Sequence, residues 1–207
     1  MYLSRVEIAR DNRRKIQDLT HVGAYHGWVE QSFPHEFENG QRSRKLWRID
    51  TLGNKHYLLL VSEQAPDLEA LEKYGVTGSA ETKNYQPFLD SLSQGDRLKF
   101  KVQLNPVIRK SAGTGKAGPI VPLVSDEDQM DFLLDRSEKR GFRVEECLII
   151  EKGYERLKKP KRRDVQLVKA VYQGELIVTD VEQFKETLVV GFGRQKAYGF
   201  GLMTVIA

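Results

Sequence analysis

The order of predicted strands and helices is the feature that most limits how this chain can fold. The first part of the sequence gives a strand, a helix, two strands, a second helix and a strand. The clearest of these is the last, because Leu98, Phe100, Val102 and Leu104 alternate with polar residues. The predicted segments are 3–9, 13–33, 45–50, 56–62, 66–74 and 97–104.

The same order then recurs in the rest of the chain. Ser125 is predicted to cap the first helix of this series, with Asp128 three residues later as in a capping box. Two helices and four strands are again expected, although the two halves share no residue signature and repeat only in topology. The predicted segments are 119–124, 125–141, 142–150, 165–172 with 176–178 after Gly174, a helix to Leu188 capped by Thr179 or Asp180, and 200–206.

Two successive βαββαβ units predict an α+β protein built from two tandem ferredoxin-like domains. The first domain is expected at 1–104 and the second at 119–207. Between them, 105–118 is rich in Gly, Pro, Ser and Lys, which predicts a linker or a basic binding loop.

Composition excludes several classes of protein. The chain has 207 residues, of which 40% are hydrophobic and 30% charged, as in soluble globular proteins. It contains no apolar run near the ~18 residues of a membrane helix and begins without an apolar leader. Its single cysteine, Cys147, excludes an internal disulfide framework. We therefore expect a cytoplasmic protein without membrane contact.

The distribution of charge says more than the net charge of +4. Residues 97–118 contain six Lys or Arg and no acid, and residues 152–163 contain seven against Glu155 alone. Clustering of this kind indicates a polyanionic partner. The second cluster reads as the tip of a hairpin, which could enter the groove of an RNA stem, or as a solvated loop. The cations predicted to bind RNA in these two clusters are Arg109, Lys110, Lys116, Lys158, Lys159, Lys161, Arg162 and Arg163.

A glycine-rich segment, 189–202, lies just before the last predicted strand. Four glycines let its backbone approach a ligand closely, and Arg194 and Lys196 add positive charge. Such a loop suits a phosphate or a nucleic-acid backbone, although a tight turn with solvated cations gives the same pattern. The spacing matches neither GxGxxG nor the P-loop.

His26 is the candidate for acid–base chemistry. The four histidines have no zinc-ligand spacing, and HExxH and GxSxG are absent, so neither a metal site nor a serine hydrolase is predicted. Histidine titrates near neutral pH and can act as a base or an acid. An ordinary half-buried helical histidine is the simpler alternative for His26.

Several segments resemble the CRISPR-associated pre-crRNA endoribonucleases of the CasE type, from subtype I-E systems. The similarity covers nearly the whole chain, and the combination of its first and last motifs is specific. The resembling segments are MYLSRVEIAR, HGWVEQSFP, LNPVIRK with GKAGPIVPL, YQGELIVTDVEQF and GFGRQKAYGFGLMTV.

This resemblance implies a function. The family has two ferredoxin-like domains, cuts CRISPR repeat hairpins without metal or cofactor, leaves a 2′,3′-cyclic phosphate and stays bound to its product in the Cascade complex. It implies precursor RNA with a repeat stem-loop and other Cascade subunits as partners, and a monomer when isolated.

The resemblance also assigns site residues. His26 matches the catalytic histidine of the family. Several members carry a tyrosine three positions earlier, where this chain has Gly23; Tyr25 directly precedes His26 instead. Some members carry a lysine five positions later, where this chain has Gln31. Tyr25 is therefore a candidate helper, and Lys196 or Arg194 could stabilise phosphorane charge.

Three hypotheses remain open at this point. The leading one is a sequence- and shape-specific endoribonuclease. The second is a non-catalytic RNA-binding subunit on the same scaffold, in which His26 is structural. The third is a ferredoxin-like metabolite-binding protein, which the clustered cations disfavour.

Overall fold

The computed structural model describes residues 1–111, 113, 117–159, 161 and 163–206. Short 3₁₀ turns follow α3 and α5 and interrupt the glycine-rich segment. The strands are β1 (Tyr2–Glu7), β2 (Lys45–Leu52), β3 (Lys55–Ser62), β4 (Glu81–Asn84), β5 (Arg97–Leu104), β6 (Val107–Ser111), β7 (Ala117–Pro122), β8 (Phe142–Leu157), β9 (Val165–Val178) and β10 (Met203–Ile206). The helices are α1 (Val22–Gln31), α2 (Pro34–Glu38), α3 (Leu68–Leu71), α4 (Gln86–Ser91), α5 (Asp126–Ser137) and α6 (Val181–Val190).

Two four-stranded antiparallel sheets organise these elements. Their strand orders are β2-β3-β1-β4 and β10-β5-β9-β8. The four strands of each sheet can be numbered 1 to 4 in chain order. In both sheets, strand 4 then lies beside strand 1, and strand 3 lies between strands 1 and 2. This is the arrangement expected of a βαββαβ unit, so the predicted fold of two ferredoxin-like domains is confirmed.

The division of the chain between the sheets differs from the prediction. The segment 97–104, expected to close the first domain, opens the second sheet as β5, where Phe100 pairs with Gly174 and Val205. The first sheet is closed instead by β4, which the sequence did not identify as a strand. Its four residues, ETKN, carry no apolar alternation because this edge strand is largely exposed.

The segment expected to open the second domain, 119–124, is also placed differently. It forms most of β7, which pairs with β6 in a separate two-stranded hairpin between β5 and α5. The predicted linker 105–118 therefore contains β6 and the start of β7. The division between the two sheets lies between Asn84 and Arg97, rather than at 104.

Helix starts follow their capping residues. At α5, the Ser125 hydroxyl accepts from the Asp128 N–H at 3.1 Å, so the predicted cap is present. The Asp128 carboxylate accepts from the Ser125 hydroxyl at 2.6 Å, which is not the backbone contact that defines a capping box. Asp180 caps α6 by accepting from the Gln183 N–H at 3.0 Å. The long first helix predicted over 13–33 is shorter, because the residues before His21 form turns.

The hairpin β8–β9 extends from the second sheet into the core of the first domain. Leu157 and Leu167, near its tip, are buried with Trp28 and Phe33 of the first domain. Phe200, from the glycine-rich segment, joins the same cluster. Burial of apolar surface across the two units therefore holds both the hairpin and the glycine-rich segment beside α1.

A buried arginine joins the two sheets. Arg48, on β2, is 1% exposed and donates to the carbonyls of Lys101 and Leu202 at 2.7 and 2.9 Å. It also donates to Thr204 and forms a two-point ion pair with Asp50 at 2.9 and 2.8 Å. Its planar, five-donor group can satisfy this set of acceptors, which a lysine could not.

Within the described part of the chain, no helix is long and apolar enough to cross a membrane.

Candidate functional site

His26 lies in the middle of α1. The helix begins after His21, whose Nδ1 accepts from the Gly23 N–H at 3.1 Å. Val22, Trp28 and Val29 are buried against the first sheet, and His26, one helical turn from Val22 and Val29, is half-buried. The imidazole is thus held by a well-packed helix while part of it stays accessible.

The glycine-rich segment brings an aromatic side chain to His26. The Tyr198 ring lies edge-on to the imidazole, with 5.7 Å between the ring centroids and 72° between the planes. Tyr198 lies within the motif GFGRQKAYGFGLMTV, but the sequence did not identify it as a site residue. No spacing could have done so, because 172 positions separate it from His26.

Side chains from both domains fix the loop around Tyr198. Trp47 Nε1 donates to the Ala197 carbonyl at 3.0 Å, and Gln103 Nε2 donates to the Gly199 carbonyl at 3.1 Å. Gly199 has a φ of +84° and lies on the Trp47 ring, where an added Cβ would come within 2.8 Å of Cζ3. Only glycine fits both that dihedral angle and that contact.

Burial and neighbouring charges set the protonation of His26. Burial is the main cause that lowers its pKa below the ordinary histidine value. Glu30 opposes this effect, while the positive charges of Lys45 and Arg42 add to it. At neutral pH the imidazole is therefore predominantly neutral and able to accept a proton.

Lys196 lies in the same loop as Tyr198 and is half-buried, whereas Arg194 is exposed. The pKa of Lys196 is lowered, first by burial and then by the positive charges of Arg44 and Arg140. Several cations thus share the region around the loop. Such a group favours an anionic ligand, because each cation destabilises the others in its absence.

Tyr25 faces a different environment from His26. Its ring stacks on Trp47 with 5.9 Å between centroids and is tilted against Trp28 at 6.3 Å. Burial raises the pKa of its phenol. Together with His21 and Tyr198, Tyr25 lines a cavity of about 420 Å³ between the two domains.

The predicted basic hairpin tip is present at the β8–β9 turn, which we call the basic tip (158–163). Lys158, Lys159, Lys161 and Arg163 are exposed there, and Arg162 lies outside the described residues. The tip begins next to buried Leu157, which packs against Gly23 at the start of α1. After burial, the charge of Lys158 is the largest cause that lowers the pKa of His21.

The remaining predicted cations lie elsewhere. Arg109 and Lys110 are exposed on β6, in the two-stranded hairpin, and Arg109 donates to the Gly118 carbonyl at 3.0 Å. Lys116 lies outside the described residues. The contacts described around His26 do not involve this hairpin, so its role in RNA binding stays a prediction.

A buried ion-pair cluster, which sequence reasoning missed, lies beyond the C-terminal half of α1. Lys45 Nζ lies 2.5 Å from a Glu36 oxygen and 3.7 Å from a Glu30 oxygen, with the lysine side chain 1% exposed. Burial alone would raise the pKa of Glu36, but hydrogen bonds from Lys45 and Ser43 outweigh it and lower that pKa. Glu30 lies one helical turn after His26, so the cluster fixes this end of the site.

Within the described ranges, no group of three or more His, Cys, Asp or Glu side chains is arranged to hold a metal ion.

The sequence also matches known proteins. A family model described as CRISPR associated protein matches residues 1–207. The chain is 28% identical to the CRISPR-associated endoribonuclease Cse3 of Thermus thermophilus over 218 residues, which cover 99% of each protein.

Solved structures give the same family. The fold is similar to CRISPR endoribonuclease Cse3 bound to 19 nt RNA, with a TM-score of 0.82, 27% identity and 100% of both chains covered. It is also similar to Thermus thermophilus Cse3 bound to an RNA representing a pre-cleavage complex, with a TM-score of 0.79, 27% identity and 100% and 98% covered. Cas6e from Escherichia coli shares the fold, with a TM-score of 0.68, 22% identity and 99% and 98% covered. The chain therefore belongs to the CRISPR-associated protein family, and its resemblance to the CasE-type endoribonucleases of subtype I-E is confirmed.

Proposed function

We propose that this chain is a metal-independent endoribonuclease that recognises CRISPR repeat hairpins in precursor RNA, cuts them and remains bound to the mature product. The named activity of Cse3, at 28% identity over the full chain, supports the reaction. Cse3 has also been seen bound to an RNA that represents a pre-cleavage complex. The cytoplasm is the compartment that fits this function.

The observation that carries the proposal is the position of His26. Its imidazole, whose pKa is lowered chiefly by burial, lies edge-on to Tyr198, beside the cation-bearing glycine-rich loop, in a chain of this family. Among the described residues, Glu30, Lys45 and Arg42 act on its charge, and Tyr198 lies against its ring. This arrangement suits proton transfer next to a phosphodiester.

RNA supplies the nucleophile. The ribose 2′-oxygen attacks the adjacent phosphorus while its proton passes to His26. The bond from phosphorus to the 5′ oxygen then breaks, that oxygen takes a proton from water, and a 2′,3′-cyclic phosphate remains. Lys196 stabilises the charge that develops on the phosphorane oxygens. Holding the RNA in line supplies much of the remaining acceleration.

RNA and the other subunits of a CRISPR surveillance complex are the expected partners. The basic tip would contact phosphates of the repeat stem, since A-form RNA is recognised mainly by shape and backbone. A CRISPR RNA-guided surveillance complex contains a chain of the same fold, with a TM-score of 0.69 and 18% identity. A monomeric state in isolation remains a prediction.

The test is cleavage of a repeat hairpin by the wild type and by His26→Ala. We expect the variant to lose cleavage while it keeps hairpin affinity within a few-fold. Cleavage should persist in EDTA and stop when the ribose 5′ of the cut is 2′-deoxy. Cleavage by His26→Ala at the wild-type rate would contradict the role of His26. Activity that is lost on chelation and restored by a divalent metal would contradict the internal-nucleophile mechanism.

The role of His26 as the base predicts a pH dependence. The lowered pKa keeps the imidazole neutral below the ordinary histidine range, so the rate should fall only when the pH drops through that lowered pKa. A single-turnover pH profile measures this directly. A rate that instead rises as the pH falls would assign His26 to the acid role. A non-catalytic RNA-binding subunit would bind the hairpin without any cleavage.

A further inference from the structure

Three features lie in order along α1. At its N-terminal end, Gly23 contacts Leu157, which leads into the basic tip. His26 lies in the middle. At its C-terminal end, Glu30 forms an ion pair with Lys45, which directly follows Arg44. At about 1.5 Å per residue, the nine steps from His21 to Glu30 span about 13.5 Å.

The segment at this second end is clamped in place. Ser43 Oγ donates to one Glu36 oxygen at 2.5 Å, and the Ser43 N–H donates to the other at 3.2 Å. Lys45 bonds the same carboxylate at 2.5 Å. Because Ser43 points inward to this clamp, its neighbours Arg42 and Arg44 are left exposed.

An exposed aromatic ring accompanies these two arginines. Phe37 is 49% exposed, and the Arg42 guanidinium lies 5.0 Å from the centre of its ring. No acidic residue occurs between Asn39 and Arg48. Cations next to an exposed ring form the usual platform for unpaired nucleotides, whose bases stack on the ring while their phosphates contact the cations.

Both arginines act on the site itself. The charge of Arg42 contributes to the lowered pKa of His26, and that of Arg44 to the lowered pKa of Lys196. The platform is therefore directed toward the place where the scissile phosphate would lie. An acidic protein segment would need no such proximity to His26, so RNA is the ligand that these positions favour.

We propose that Phe37, Arg42 and Arg44 bind the single-stranded RNA that continues past the scissile phosphate, away from the stem. This inference rests on the proposed function. The basic tip holds the stem at one end of α1, and this flank platform (Phe37, Arg42 and Arg44) holds the unpaired strand at the other. The phosphodiester between them is thereby presented to His26 from two sides.

The test compares two RNAs in a His26→Ala background, which prevents cleavage. The first RNA is the repeat hairpin with its single-stranded flank. The second ends at the cut site mapped with the wild-type protein and therefore lacks that flank. Affinity is measured against salt concentration for Arg42→Ala/Arg44→Ala, for Phe37→Ala and for the control Lys83→Ala/Arg143→Ala, which removes two exposed cations from the sheets.

We expect Arg42→Ala/Arg44→Ala to flatten the slope of log K against log salt by about 1.4 for the flanked RNA, from about 0.7 per single-strand contact. Its slope for the truncated RNA should equal that of the parent. Phe37→Ala should weaken binding of the flanked RNA alone, and the control should change neither slope.

An unchanged slope and affinity for the flanked RNA would overturn the inference, as would an equal loss on both RNAs, which would place these arginines on the stem. If the platform binds an acidic protein segment instead, both RNAs will bind as in the parent, and the inference fails. A parent protein that binds neither RNA would refute the proposed function itself, which is a distinguishable result.

Discussion

Arg48 should contribute more to stability than the exposed ion pairs of this protein. Arg48→Met removes a buried cation together with its hydrogen bonds to Asp50, Thr204 and the carbonyls of Lys101 and Leu202. Removing one partner of a buried pair costs about 3–5 kcal/mol, because the other charge is left uncompensated. Asp50 keeps Lys101 at 3.0 Å and is 20% exposed, so we expect the lower end, about 3 kcal/mol.

Urea unfolding measures this cost. The chain has two tryptophans, Trp28 and Trp47, both in the first domain, so their fluorescence reports unfolding of that domain while far-UV circular dichroism reports both. Because Arg48 connects the sheets, the two signals should coincide in the wild type and separate in the variant. Arg48→Met/Asp50→Asn should regain part of the loss, since it also removes a carboxylate that only Lys101 would then compensate.

The matched control is Arg5→Ala. Arg5 also pairs with a carboxylate, that of Glu81 on the neighbouring strand at 3.0 Å, but both side chains are more than half exposed. Exposed pairs contribute about 0–1 kcal/mol. A loss for Arg48→Met no larger than that for Arg5→Ala, with coincident transitions in both, would refute the reasoning.

Three further predictions follow from particular contacts. Gly199→Ala should lower the cleavage rate by about 10²-fold, because the new Cβ displaces the loop from Trp47. The control Gly78→Ala, at a similar φ of +75° and with nothing within 4 Å of the added Cβ, should leave the rate unchanged. Equal cleavage rates in the two variants would contradict this account. Burial would raise the pKa of Asp50, but hydrogen bonds from Arg48 and Lys101 together outweigh it and hold that pKa low. The contribution of Asp50 to the free energy of unfolding is therefore present above the unfolded pKa of about 3.9 and is lost as the pH falls through the folded pKa. Acid titration of unfolding should therefore be flatter for Asp50→Asn, and identical curves would rule this contribution out. Lys159→Ala/Lys161→Ala should flatten the salt dependence of hairpin binding by roughly one to two units, at about 0.7–0.9 per phosphate, and an unchanged slope and affinity would mean that the basic tip is a solvated loop.

The fold class could be predicted because most strands and helices bury one face. Alternation over 97–104 and helical spacing over 180–188 reflect that burial directly. The assignment of 97–104 to a sheet could not be predicted in the same way, because a pattern shows which face is buried and not which strand lies alongside. β4 was missed because it is a largely exposed edge strand, so its residues show no apolar alternation.

The candidate site shows the same limit. Resemblance identified His26, and charge clustering identified the basic tip, since both are carried by contiguous segments. Tyr198 was missed because it meets His26 from a segment that is distant in sequence. Arg42 and the Lys45–Glu36 pair were missed because their contacts depend on how the loop between α2 and β2 turns back, which no residue pattern shows. The run QRSRK (41–45) contains Arg42, Arg44 and Lys45. Which of these cations face outward is determined by the hydrogen bond from Ser43 to Glu36, and the sequence does not show that bond.

The position of α1 explains why two domains are needed for a site that uses few residues. The first domain supplies the helix and the clamp on its C-terminal side, and the second supplies the basic tip and the glycine-rich loop. Leu157 and Phe200 bury apolar surface in the first core, and Trp47 and Gln103 hold the loop on either side of Tyr198. The precision at His26 therefore depends on packing between the domains. Substitutions at that interface should lower the rate of cleavage before they weaken binding of the stem, which we propose the exposed basic tip provides.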